Sequence, residues 1–257
     1  MLKRLLILVL VVTYVLVTDA PSAEPSSPLF PLGRSWAGDR ELPRPFGIGL
    51  DLYHQTQDYE LRNLRLDLPM IDLSQVSRVE IENATSEESF KADVWLLPFL
   101  NVFGIIGNVD GETTVNPGPP LSELRVDYDG VVYGGGATLA GGIGRFFGSV
   151  SYILTKTDLD TATSSVDAWI LNPRIGVRAN AAEIWVGAMY QEAEEHHRGR
   201  IAVPFFGDVA YDVELEQKEP WNYLVGAGTN IADHWRLELE AGFGNRKHAL
   251  FVLGYRF

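Results

Sequence analysis

The chain has 257 residues, a formal net charge of −13 and no cysteine. That length suits one domain of medium size. The acidic balance argues against nucleic acid, whose phosphates need a basic face. Without cysteine there is no disulfide framework, thiolate metal site, Cys nucleophile or Cys-borne lipid anchor.

Lys3 and Arg4 precede an apolar run from Leu5 to Val17, and small residues follow as far as Ala23. This order predicts a secretory signal peptide over residues 1–23, cleaved on export. The run is shorter than the ~20 residues a helix needs to cross a bilayer. Residues 24–44 are rich in Pro and Ser and lack periodicity, which predicts a flexible periplasmic lead-in. No later stretch offers a spanning helix.

From residue 45 to 257 the dominant pattern has a period of two, the signature of strands. Phe46, Ile48, Leu50 and Leu52 alternate with Gly47, Gly49, Asp51 and Tyr53. Residues 55–88 are polar and predict a long loop, with Val76–Asn83 as an optional extra strand. Phe90, Ala92, Val94 and Leu96 alternate with Lys91, Asp93, Trp95 and Leu97. Pro98 cannot donate a ladder bond and ends that strand.

Phe103, Ile105 and Val109 then oppose Gly104, Asn108 and Asp110. After a Gly-, Thr- and Pro-rich loop at 111–120, Val131, Tyr133, Ala137 and Leu139 oppose Val132, Gly134, Gly136 and Thr138. Gly141–Gly142 predicts a tight turn. Further strands are expected around residues 145–158, 166–178, 184–190 and 221–228. Residues 191–219 are charged and read as a loop, with part of Phe205–Leu215 as an optional strand. The total is ten to twelve strands. Counting back from the carboxy terminus puts short turns on one side and long polar segments on the other.

The ending carries the most specific pattern. Trp235, Leu237, Leu239, Ala241 and Phe243 alternate with Arg236, Glu238, Glu240, Gly242 and Gly244. Phe251, Leu253, Tyr255 and Phe257 then fall on one face of the last strand, and the chain stops on Phe257. One apolar face and one charged face suit a wall between lipid and a polar lumen.

This ending resembles the terminal strand of Gram-negative outer-membrane β-barrel proteins. The resemblance implies an all-β fold: a closed antiparallel transmembrane β-barrel in the bacterial outer membrane. It also implies that Phe251, Leu253, Tyr255 and Phe257 are read by the barrel-assembly machinery. The expected partners are therefore that machinery, outer-membrane lipid and lipopolysaccharide, with no nucleic acid.

The inward, lumen-lining set is expected to be Asp51, Lys91, Asp93, Arg174, Arg178, Arg236, Glu238, Glu240 and Arg256. Mixed charges inside a narrow barrel must pair or stay hydrated. Inner-face glycines, including Gly134, Gly136, Gly226, Gly228, Gly242 and Gly244, are expected to leave free space. Trp221 and Tyr223 at the outer edge, and Trp235 at the inner edge, are expected to anchor the barrel at the membrane interfaces. His196 and His197 lie among Glu192, Glu194 and Glu195, a pattern of a solvated charged segment rather than a metal site.

No nucleophile motif is present, and His54 is the one candidate catalytic base. The chain is read as non-enzymatic, with no cofactor and no metal. It is expected to be a narrow channel for small solutes or ions. The alternatives are a sealed barrel that displays its outer loops for surface interaction or adhesion, and a lipid-modifying enzyme.

Overall fold

In the computed structural model the alternating segments form strands in chain order. They are β1 (Phe46–Leu66), β2 (Glu80–Leu97), β3 (Leu100–Asn116), β4 (Leu124–Ile143), β5 (Phe146–Leu159) and β6 (Ser164–Ala179). Then follow β7 (Ala182–Val203), β8 (Gly207–Gln217), β9 (Trp221–Asn230), β10 (Trp235–Gly244) and β11 (Arg246–Arg256). The structure describes residues 29–38, 42–66, 80–116, 123–160, 164–180, 182–203 and 207–257. The signal-peptide residues 1–23 and the segment around Val76 lie outside these.

All the pairings are antiparallel, and they close on themselves twice. β1 to β7 pair in sequence, β7 pairs with β9, and β9, β10 and β11 return to β1, where Gly47–Gln57 meet Arg246–Arg256. This is a closed ten-stranded barrel. Further along the same strands, β8 takes the place of β9–β11. It pairs with the outer half of β7, Glu195–Val203, and with the outer half of β1, Tyr59–Leu66. The outer collar is therefore an eight-stranded ring. β8 and β9 run in one direction along β7, separated by a step at Lys218–Pro220, and the short β10–β11 hairpin wedges between β9 and β1. Interior width grows with strand number, so the base is wider than the collar.

At one end the connections are short. β2 and β3 are joined by Pro98–Phe99, β4 and β5 by Gly144–Arg145, and β6 and β7 by Asn180–Ala181. Gly144 has φ 59° and Asn180 φ 56°, left-handed values that glycine and asparagine adopt at least cost. The second turn thus sits at Gly144–Arg145, and β4 continues through the Gly141–Gly142 pair expected to end it.

Outward-facing residues are apolar from this end upward. Ile143 is 82% exposed, Ile175 68% and Leu239 60%. Moving outward, each strand's external face then meets polar or charged residues: Asp58, Glu88, Asn108, Asp129, Lys156, Asp167, Glu192 and Lys247. An apolar belt this continuous has no place in water. It matches the ~25 Å lipid-facing band of a barrel that spans a membrane. The chain is a closed transmembrane β-barrel.

The polar stretches behave differently from the expectation of loops. β1 runs on to Leu66, β2 begins at Glu80, β3 extends to Asn116, and residues 191–217 are almost entirely the β7–β8 hairpin. Above the belt both faces of a strand meet polar surroundings. Alternation fades there although the ladder continues. The Glu80–Asn83 part of the optional extra strand is the start of β2, and β8 adds to the collar, so the base has ten strands rather than twelve.

Within the segment expected to be a flexible lead-in, residues 29–38 pack on the inner rim. Pro31 is buried, Leu32 N–H donates to Leu96 O at 2.8 Å, and the Trp36 ring stacks on Phe99 at 6.3 Å. Residues 34–37 form one 3-10 turn. The apolar residues Phe30, Pro31, Leu32 and Trp36 give this piece contacts that Pro and Ser alone would not.

Candidate functional site

The barrel interior is where the chemistry converges. Inward residues alternate with the belt on every strand, and they divide the lumen wall into two sectors. One sector, formed by β9–β11, β1, β2 and the inner ends of β6 and β7, carries charge. The other, centred on β3–β5, carries hydroxyl and apolar groups.

In the charged sector, side chains lie along the wall and bridge strands that are not neighbours. Arg174 on β6 meets Glu240 on β10 at 2.9 Å, passing over β7 and β9. Trp185 Nε1 donates to the same carboxylate at 2.8 Å, and the buried His248 lies 3.6 Å from it. Lower down, Arg236 bridges Glu183 at 2.5 Å and Glu238 at 2.6 Å, and Arg178 holds the other side of Glu183 at 2.7 Å. On the far side of β1, Arg256 reaches Asp93 at 2.8 Å and Asn101 donates to Asp93 at 2.6 Å. Lys91 stands 3.5 Å from Asp51.

Asp51, Lys91, Asp93, Arg174, Arg178, Arg236, Glu238, Glu240 and Arg256 each take part in one of these pairs, and all but Arg178 and Arg236 also line the cavity beside them. Opposite charges close together offset part of each other's desolvation cost.

Glycines make the bridges possible. A Cβ on Gly47 would lie 2.2 Å from Asp93 Oδ2, and one on Gly228 would lie 2.8 Å from a nitrogen of Arg236. A Cβ on Gly226 would strike the Trp185 indole, and one on Gly242 the His248 ring. The expectation that Gly226, Gly228 and Gly242 leave empty lumen is therefore corrected. The room over them is filled by side chains reaching across from other strands.

The open space lies beside the charged sector. A cavity of about 430 Å³ is lined near the inner turns by Trp95, Asn101, Thr138, Ser149 and Arg256, and near the collar by Tyr59, Asn83, Tyr128 and Leu159. The expected vacancy at Gly136 of β4 is corrected too, because a Cβ there would lie 2.7 Å from the Phe103 ring. Phe103, Ile105 and Val109, the apolar face of β3, also line the cavity. Apolar character therefore does not mark the lipid side of β3, where Gly104, Ile106, Asn108 and Asp110 face out. Asp51 Oδ1 and Trp95 Nε1, both on the cavity wall, have no hydrogen-bond partner among the described residues.

Several inward groups escaped sequence reading. Glu183 and Trp185 share the parity of Gly187 on β7, opposite Ile184 and Val186, and that parity was a usable signal. Arg246 and His248 share the parity of Arg256 on β11. Arg246 is 1% exposed and donates to Gln57, Gln217 and the sulfur of Met189 at the level where β8 replaces the hairpin.

On the outside, aromatic rings gather at two levels. Tyr152, Trp169, Tyr190 and Trp221 form a chain of ring contacts across β5, β6, β7 and β9, with Tyr223 against Phe243 beside it. At the inner level Phe46, Phe257, Tyr255 and Trp235 are linked in the same way. Phe251 and Leu253 lie on the same outward face of β11, between these levels. His54 faces outward and its Nδ1 is 3.0 Å from Ser86 Oγ, well away from the cavity. His196 and His197 fall in the ladder of β7 with β8, and their side chains lie outside the described residues.

No family model and no curated protein matches the chain. Among solved structures it is similar to the outer-membrane protease OmpT of Escherichia coli, at 9% identity and a TM-score of 0.43, over 84% of this chain and 97% of that one. It is also similar to the transport unit of the autotransporter AIDA-I from Escherichia coli, at 10% identity and 0.41, over 86% and 92%. A third is the outer membrane protein OprG of Pseudomonas aeruginosa, at 12% and 0.40, over 84% and 98%. At these values the likeness is one of barrel architecture.

Proposed function

We propose that this is a non-enzymatic outer-membrane barrel that forms a narrow passage for small solutes or ions. The supporting observation is the cavity whose lining extends from the inner turns to the collar alongside a wall of paired charges. Because the charges along that wall are neutralised in pairs, ion selectivity should be weak. The uncharged sector of Thr138, Ser149, Ser151 and Thr155 is crossed by none of the ion pairs among the described residues. The His54–Ser86 pair is a base and a hydroxyl on the outer wall with no orienting carboxylate among the described hydrogen bonds, which disfavours the lipid-modifying reading.

The test is planar-bilayer recording of the purified full-length barrel. Small unitary steps with little preference between potassium and chloride are expected. Ser149→Trp, which fills the uncharged sector, should abolish them while heat-modifiable folded protein remains. No steps from the folded wild type would overturn the passage and favour a sealed barrel that serves its outer surface.

A further inference from the structure

One seam of the ten-stranded base is interrupted inside the lipid-facing belt. Along β6–β7 the pairing runs to Leu171 with Tyr190 and resumes at Arg174 with Gly187, skipping Asn172–Met189 and Pro173–Ala188. Pro173 has no N–H to give to this ladder. The other seams of the ten-stranded ring run unbroken through the belt. The one irregularity between β2 and β3 falls at Trp95–Leu97, beside the turn.

Space lies on both sides of the interruption. On the lipid side is a groove of about 490 Å³ whose outward-facing walls are Pro173, Ile175, Val186, Ala188, Tyr223 and Phe243. On the lumen side Ile170, Asn172, Arg174 and Met189 line the main cavity, and Arg174 borders both spaces. Between them sits the interior's one buried apolar cluster among the described residues, Trp185, Met189 and Leu224, with Phe147 and Ile170 against it. Gly187 and Ala188 put little side-chain bulk on the β7 side.

A small apolar molecule in the lumen therefore meets Ile170 and Met189 beside the hydrogen-bonded Arg174 and Asn172, then the stretch of wall with two unpaired ladder positions, then a groove opening on hydrocarbon. We infer that the β6–β7 seam at Asn172–Pro173 and Ala188–Met189 is a side exit, by which small uncharged apolar solutes leave the lumen for the membrane interior. Charged solutes are refused there, because hydrocarbon cannot replace their hydration. The inference rests on the proposal that the lumen admits solutes.

The test uses the apolar fluorophore N-phenylnaphthylamine, which brightens on reaching membrane hydrocarbon, and intact Gram-negative cells that make the full chain. Because the chain has no cysteine, the seam can be locked cleanly by Pro173→Cys with Ala188→Cys, two outward residues on facing strands. A control lock, Leu139→Cys with Val150→Cys, staples the unbroken β4–β5 seam at a registered pair.

Wild type should speed the rise in fluorescence over cells lacking the barrel. The seam lock should return the rate to that of cells lacking the barrel, reductant should raise it again to the rate of the uncross-linked Pro173→Val chain, and the control lock should leave it unchanged. Pro173→Val, which supplies the missing donor, should slow the rise without any cross-link. Single-channel steps should persist in all variants.

Fluorophore entry at the wild-type rate through the locked seam would overturn the exit. So would a lock that removed fluorophore entry and conductance together, since the seam would then merely support the lumen. Absence of conductance in wild type alongside lock-sensitive fluorophore entry would defeat the polar passage but leave the exit standing.

Discussion

Arg174 on β6 and Glu240 on β10 meet at 2.9 Å although two strands separate them in the wall. The contact holds because Gly187 on β7 and Gly226 on β9 carry no side chain between them, and because Trp185 completes the carboxylate's coordination from below. With Trp185, the pair thus ties together three strands, β6, β7 and β10, through side chains, in addition to the ladders.

A buried ion pair that loses one partner leaves the other uncompensated, at a cost of ~3–5 kcal/mol. With Arg174 partly exposed, the lower end of that range applies. Glu240→Leu should lower the stability of the folded barrel in detergent by about 3 kcal/mol, and Arg174→Met by somewhat less. The double variant should lose much less than the sum of the two single losses, because neither charge is then stranded. Urea unfolding of all four proteins, followed by tryptophan fluorescence, measures the coupling. Strict additivity would show that the two side chains do not interact in solution.

Depth in the membrane should separate two outward arginines. Leu239 is 60% exposed in the middle of the belt, whereas Thr56 is paired across the seam with Lys247 at its outer edge. Leu239→Arg should cost ~2–4 kcal/mol for folding into phospholipid vesicles, and Thr56→Arg roughly 0–1. Equal penalties would mean that the belt does not mark the hydrocarbon.

Phe257 has two tasks to distinguish. Its ring stacks on Phe46 at 5.9 Å, and the two residues exchange backbone hydrogen bonds of 3.2 and 3.0 Å, closing the β1–β11 seam. The resemblance of the chain's ending to outer-membrane barrels assigns it a further role as an assembly signal. Phe257→Ala keeps the backbone bonds and should fold normally from urea into detergent, yet fail to reach the outer membrane in cells. The assay is heat-modifiability on gels from both preparations. Equal defects in both would leave Phe257 as a seam residue alone.

The belt and the inward parity of the charges were legible because lipid on one side and a polar lumen on the other impose opposite demands on neighbouring residues. Legibility ended where one of those demands lapsed. Above the belt, Glu60, Glu82 and Glu112 lie on outward faces that no longer meet lipid, so the alternation lapsed and continuous ladder looked like loop. In β3 the apolar face, Phe103, Ile105 and Val109, turned to the cavity, since hydrophobicity reports a face without saying what it faces. Inner glycines looked like vacancies because the residues that cover them come from strands far away in sequence. The partners of Gly47, Asp93 and Arg256, stand 46 and 209 positions downstream.

The two closures share β1 but are finished by different parts of the chain. Every strand of the collar, through β8, precedes the β9–β11 segment that completes the base. The wall therefore closes at two places, and only one of them involves the last strand. The collar can be sealed by β8 on β1 while the base is still open between β1 and β7, and the terminal hairpin then enters as a keystone beneath a finished arch. The β1–β8 contacts that seal the collar join residues about 150 positions apart, a loop whose closing entropy grows only with the logarithm of its length.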